Sequence, residues 1–116
     1  MKRAVIFYKN YLKDFLRAQP EGVRRKIAQV LVWIQEIDRI PVTIFRSIEN
    51  VAGLFEIRIE YASNIYRIFC CFDQGNLVVL FNAFQKKSQK TPSKEIDKAK
   101  SIMDDYFEGK RKEERK

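Results

Sequence analysis

The chain has 116 residues, 46% of them hydrophobic and 13% aromatic. That composition excludes a disordered segment and suits one domain able to bury a real core. The 23 basic side chains outnumber 15 acidic ones, giving a net charge of +8, and there is no histidine; an anionic partner is expected, and imidazole-based catalysis is excluded in its usual form.

Residues 4–8 read as a short strand. Met1-Lys2-Arg3 precedes too short an apolar run for a signal peptide. Residues 9–18 place Tyr11, Leu12, Phe15 and Leu16 at helical spacing. Pro20 and Gly22 punctuate. Residues 21–39 read as a longer helix, with Val23, Ile27, Val30, Leu31 and Ile34 on one stripe, ended by Pro41. Its other faces carry Arg24, Arg25, Lys26, Gln29 and Gln35. The two helices are expected to form an antiparallel hairpin over one side of a sheet.

Residues 44–48 fit a strand or a loop equally. Residues 54–61 alternate, with Phe55, Ile57, Ile59 and Tyr61 on one face and Glu56, Arg58 and Glu60 on the other. Ala62-Ser63-Asn64 turns the chain. Residues 65–72 are apolar on both faces except at Arg67. Asp73-Gln74-Gly75-Asn76 has hairpin-turn composition, and residues 77–84 are again almost wholly apolar. Strands apolar on both faces need cover on both. The helical hairpin supplies one cover; the C-terminal segment, a partner or a ligand supplies the other. Thr91-Pro92 suits a helix opening. Ile96, Ala99, Ile102, Met103, Tyr106 and Phe107 mark its apolar stripe, and its end is expected near Gly109.

The expected architecture is α+β, in the order β-α-α-β-β-β-α, with helices on a small antiparallel sheet. A single domain should span residues 1–109, followed by a charged, flexible tail at 110–116. Adjacent Cys70 and Cys71 point to opposite strand faces, so neither a disulfide nor a shared metal is expected. They read as small hydrophobes of a reducing cytoplasm. No apolar run reaches the length of a membrane span, so a cytoplasmic protein without membrane contact is expected.

The four glycines are scattered, and no phosphate loop or metal-ligand pattern appears. No metal and no small-molecule cofactor is expected. One chemistry then suits the cations. RNA carries its own nucleophile, the 2′-hydroxyl, and an enzyme that aligns it with the leaving 5′-oxygen lowers much of the barrier by orientation. Cations facing the developing phosphorane charge lower more of it. Arg67, in mid-strand, either faces such a site or pairs with Glu56 or Glu60. Arg58 either joins it or belongs to a solvated strand face between two glutamates. Lys86, Lys87 and Lys90, at the exit of the last strand, are phosphate ligands or a plain solvated loop. Arg24 and Arg25 are RNA contacts or the wet face of an amphipathic helix. In the functional reading, Arg67, Arg58, Lys87 and Lys90 are catalytic, and Lys86, Lys87, Lys90, Arg24 and Arg25 bind RNA. Acid–base work falls to a lysine or carboxylate of shifted pKa, or to a tyrosine.

Three runs carry a family likeness: Gly53-Leu54-Phe55-Glu56-Ile57-Arg58; Ile65-Tyr66-Arg67-Ile68-Phe69; and Phe84-Gln85-Lys86-Lys87-Ser88-Gln89-Lys90-Thr91-Pro92. Together they resemble the RelE/ParE toxin superfamily, nearest its HigB-like, phage-derived branch, over nearly the whole chain. The resemblance implies a twisted antiparallel sheet with a helical hairpin on one side. It implies a toxin of a type II toxin–antitoxin module that cuts messenger RNA at the ribosome by the 2′-hydroxyl route. It implies a cognate antitoxin of helix-turn-helix type. By position, the family's strand arginine falls on Arg67, the basic residue of the preceding strand on Arg58, and the basic cluster on Lys86, Lys87 and Lys90. Some relatives use a histidine or a C-terminal tyrosine. This chain has no histidine, and Tyr106 is its only tyrosine after Tyr66. Other superfamily members, of ParE type, inhibit DNA gyrase without cutting RNA. That is one alternative; a catalytically inactive basic nucleic-acid-binding module is another.

Overall fold

The computed structural model describes residues 1–88 and 90–114. Its elements are β1 (Ala4–Phe7), α1 (Tyr11–Arg17), α2 (Glu21–Glu36), β2 (Phe45–Ser47), β3 (Phe55–Tyr61), β4 (Asn64–Asp73), β5 (Leu77–Lys86) and α3 (Ser93–Glu114). They form three layers. A five-stranded sheet, ordered β1-β5-β4-β3-β2, lies between the α1–α2 hairpin and α3.

The alternation along β3 decides which face meets which helix. Ile57 and Ile59 join Val23, Ile27, Val30 and Ile34 of α2 and Leu12 of α1 in one buried cluster. On the opposite face Leu54, Phe69, Cys71, Val79 and Phe81 pack against Ala99, Ile102 and Met103 of α3. β4 and β5 contribute to both clusters, so their continuous apolar runs follow from burial on both sides. Cys70 lies in the first cluster and Cys71 in the second. Burial pushes both thiols up, Cys71 to about 12.

Three local features hold the layers in register. Arg3 donates from Nη1 to the carbonyls of Ile34 and Ile37 at 2.9 and 2.8 Å and from Nη2 to that of Asp38 at 2.7 Å. A cation thus satisfies the free carbonyls at the end of α2. That end falls at Glu36, before the expected Arg39, because Ile37 already has extended backbone angles. At the other end, any side chain in place of Gly22 would collide with the Tyr61 ring, so this glycine lets the tip of β3 lie across the start of α2. The β4–β5 hairpin turns through Gln74 and Gly75, both at positive φ, as its Asp-Gln-Gly-Asn composition implies.

The structure departs from the sequence reading in three places. The sheet is mixed, since β1 pairs with β5 in parallel, while β2 to β5 are antiparallel throughout. The undecided segment at 44–48 contains a strand, but only of three residues. The last helix runs through Gly109 to Glu114, so residues 110–114 are helical; of the expected flexible tail, residues 115 and 116 lie outside the described residues. The extension past Gly109 is anchored by Lys110, whose ammonium lies 2.6 Å from the Asp73 carboxylate.

Candidate functional site

Two features of the sheet expose a patch on the α3 side. The first is reach: α3 begins only at Ser93 and covers the half of that face holding the second apolar cluster, leaving the ends of β3 and β5 and the start of β4 open. The second is an irregularity in β5. Ile68 faces Ala83, but Cys70 faces Leu80, so β5 carries one extra residue at this point. Such a bulge flips the alternation of everything after it. Val78 and Leu80 lie on the hairpin side before it, whereas Phe84, beyond it, packs on the α3 side. The bulge therefore places Lys86 on the same side as Arg67, and Lys86 pairs with Ile65 two residues away.

The result is a row of charge across the sheet. Arg58 on β3 stands opposite Arg67 on β4, and Arg67 stands opposite Phe84 on β5. Arg58, Arg67, Lys86 and Lys87 line one hollow of about 580 Å³, with Glu60, Ile65 and Ser88. Arg58 and Lys86 also line an adjoining hollow of about 670 Å³, which adds Arg46, Glu56, Lys90 and Thr91. Of the expected catalytic residues, Arg58 and Arg67 thus meet directly; Lys87 and Lys90 sit on either side, with Lys86 between them. Gln89, within the same basic run, lies outside the described residues.

Arg67 is 3% exposed. Its Nε lies 3.3 Å from Oε2 of Glu56, which is 8% exposed. The two approach as an ion pair without hydrogen-bond alignment, and both atoms lack a hydrogen-bond partner among the described residues. Nη1 donates to the Tyr66 carbonyl at 3.1 Å. Arg67 therefore pairs with Glu56 and also lines the hollow, two placements that the sequence reading set as alternatives. Burial, with the nearby Arg58 charge as a smaller cause, pulls the Arg67 guanidinium below its ordinary range, and Glu56 opposes the shift. Lys86 is likewise pulled down, first by burial and then by Arg67 and Arg58, against Glu56. A buried cation repelled by two others has more to gain from an anion than a solvated one.

Arg24 and Arg25 are not brought into this hollow. Arg24 donates to the Gln19 carbonyl and lines a separate depression with Lys13 and Arg17. Arg25 pairs with Glu21 at 2.7 Å, both well exposed. Two residues outside the sequence reading do border the site. Arg46 faces Glu56 across β2 and β3, and its place follows from the strand that residues 44–48 left undecided. Lys26 reaches Arg58 and Arg67 from α2 around the sheet edge. Among the described residues no three metal-ligating side chains gather, and no helix is long and apolar enough to cross a membrane.

Residues 14–104 match the family model described as Phage derived protein Gp49-like (DUF891). No curated protein matches the chain. Among solved structures the chain is similar to one in the crystal structure of the archaeal RelE–RelB complex from Pyrococcus horikoshii OT3. That match has 15% sequence identity and a TM-score of 0.54, and covers 78% of this chain and 100% of that one. The likeness extends to the fold: an α+β domain with a five-stranded sheet, N-terminal helices and a C-terminal helix. The chain belongs to the phage-derived Gp49-like family.

Proposed function

We propose that this Gp49-like chain is the toxin of a toxin–antitoxin module, and that it cuts messenger RNA with the RNA's own 2′-hydroxyl. The toxin assignment is supported by the family and by the shared RelE fold. The cleavage assignment is carried by one observation: Arg58, Arg67, Lys86 and Lys87 line one concavity whose described lining holds a single carboxylate, that of Glu60.

In this reading the Arg58 and Arg67 guanidiniums hold the phosphate oxygens as charge builds on the phosphorane, where a planar fork outperforms a point charge. Glu56 orients Arg67. As the 2′-oxygen bonds to phosphorus and its proton passes to solvent water, Lys86, whose ammonium is already held below its ordinary range by burial and by Arg67, gives its proton to the leaving 5′-oxygen more readily than a solvated lysine would. Lys87 and Lys90 hold the neighbouring phosphates on either side, and Arg24 and Arg25 take RNA farther from the cut. Tyr106, the only tyrosine after Tyr66 in the chain, is committed elsewhere. Its hydroxyl donates to Asp73 at 2.6 Å, so the acid–base step does not fall to it. The target is messenger RNA on the ribosome. The neutralising partner is an antitoxin of helix-turn-helix type, as the HigB-like branch would have it.

The test is sequencing of RNA 5′ ends after expression without an antitoxin. The reading expects new ends inside coding sequence within the time that translation falls, and no protection by a metal chelator. Intact transcripts with a rising DNA-damage response would favour a ParE-like gyrase inhibitor. Intact transcripts with RNA still bound would leave a binding module.

A further inference from the structure

β2 is only three residues long and pairs with residues 55–57 alone. The edge of β3 beyond Arg58 is therefore uncovered, and α2 passes beside it. Here the sheet edge opens into a hollow of about 370 Å³, within the size of small-molecule sites. Trp33 of α2 lines it and is 40% exposed, although most other aromatics of this chain are buried or half-buried. The Lys26 ammonium sits 5.4 Å from the Trp33 ring centroid. Val30 and Ile44 supply apolar lining, Thr43 and Glu60 a polar rim. Arg58 and Arg67 line this hollow as well as the concavity of about 580 Å³ that holds Lys86 and Lys87. The two spaces are thus contiguous through the same two guanidiniums.

We infer that this hollow is a nucleobase subsite in which the base of a nucleotide flanking the scissile phosphate stacks on Trp33, with Lys26 neutralising its phosphate. The inference rests on the RNA-cleavage reading and adds to it a residue that holds the base. A flat indole next to paired cations is the arrangement by which single-stranded RNA is held, because every base offers a π-face and every linkage a charge. The Glu60 carboxylate and Thr43 hydroxyl on the rim can accept hydrogen bonds from exocyclic amino groups, which favours bases that carry one. The same Lys26 lines a further small hollow with Tyr61, also half-exposed. Aromatic and cationic side chains therefore alternate along this flank.

Trp33 is the only tryptophan in the chain, so its fluorescence reports this subsite alone. The experiment titrates the full-length chain with a 2′-O-methyl tetranucleotide, which cannot be cut, and with tripolyphosphate, which has charge but no base. Binding of each is followed in parallel by calorimetry. The expected result is binding of both, with saturable quenching by the tetranucleotide only. Trp33→Ala should weaken the tetranucleotide about tenfold and leave tripolyphosphate unchanged, and Trp33→Phe should restore most of the loss. Tetranucleotide binding without quenching, and unaffected by Trp33→Ala, would overturn the subsite and leave the cleavage reading intact. No binding of either probe would overturn both. If Trp33→Ala fails to fold, the wild-type quenching comparison decides alone.

Discussion

Arg58 and Arg67 stand directly opposite each other on antiparallel neighbours β3 and β4, and among the described residues only Glu56 brings a carboxylate within ion-pair distance of either. Like charges facing across a sheet oppose its pairing, and here one of them is almost wholly buried. The fold therefore carries more positive than negative charge at the point where the cleavage reading puts a phosphate.

A small anion should settle that charge and stabilise the chain. Pyrophosphate at millimolar concentration is expected to raise Tm, with the gain falling as ionic strength rises. Arg58→Gln should remove most of that gain and, by relieving the repulsion, should itself leave the unliganded fold as stable as wild type or slightly more so. Thermal unfolding with and without pyrophosphate measures both. An equal shift in wild type and Arg58→Gln would place the anion elsewhere.

The pair between Arg67 and Glu56 makes a simple alanine variant a poor probe of function. Removing Arg67 leaves a buried carboxylate without its partner, at a cost of about 3 kcal/mol. The double change Glu56→Gln with Arg67→Gln should cost clearly less than the sum of the single changes, because no lone charge remains. Urea unfolding of the four proteins gives the coupling. Strict additivity would mean that the 3.3 Å approach contributes nothing. Arg67→Lys keeps the charge and most of the stability but loses the fork, so it should still fold and should cut RNA at least a hundredfold more slowly, the loss of one oxyanion donor.

Lys86 supplies a pH signature. Its folded pKa is depressed, so between that value and the ordinary lysine range the unfolded chain binds more protons than the folded one. Stability attributable to Lys86 therefore rises with pH across that window. Lys86→Met should stabilise the chain modestly at neutral pH, and the advantage should shrink towards zero near pH 10.4, the ordinary lysine value. Unfolding free energies of both proteins across the alkaline range test the sign. An advantage that grows with pH would contradict the placement of Lys86 beside Arg67.

The order of elements, apart from β2, and both buried faces were readable because their signals are local. Alternation in residues 54–61 and helical spacing in α2 name their own core positions. Arg67 was readable for the opposite reason, as a charge in a run that is otherwise apolar. Three features were not readable. The parallel seating of β1 leaves no mark in its own residues. The bulge in β5 that turns Lys86, itself named from its place at the strand exit, onto the face of Arg67 is marked by no glycine at Phe81 and Asn82. Arg46 borders the site only because β2 forms, and Trp33 and Lys26 only because it stops after three residues, both matters of pairing rather than pattern. Gly109 misled in the other direction: a glycine inside a helix costs about 1 kcal/mol, and the contacts that offset it come from a distant hairpin.

Those contacts make the last prediction. Asp73, at the end of β4, accepts from Tyr106 and from Lys110, both at 2.6 Å. Beside it Asp105 accepts from Tyr8 and from Lys9, and the Tyr8 and Tyr106 rings meet edge to face at 5.2 Å. Two Tyr–Asp–Lys sets thus fasten α3 to the sheet. Lys110 first, and then Tyr106, hold the Asp73 carboxyl below its ordinary range. A depressed carboxylate contributes stability that is present above the ordinary aspartate value and lost as pH falls through the folded one. Burial, reinforced by the bond to Asp73, raises the Tyr106 hydroxyl, so its share is present below the ordinary tyrosine value and lost at strongly alkaline pH. Asp73→Ala should cost about 1–2 kcal/mol at neutral pH, and its gap to wild type should close as pH falls towards 2. The loss should be local. Amides of residues 103–114 should exchange with deuterium faster in Asp73→Ala, while those of α2 keep their protection. Uniform loss of protection across both helices would show that Asp73 supports the whole fold and not the seating of α3.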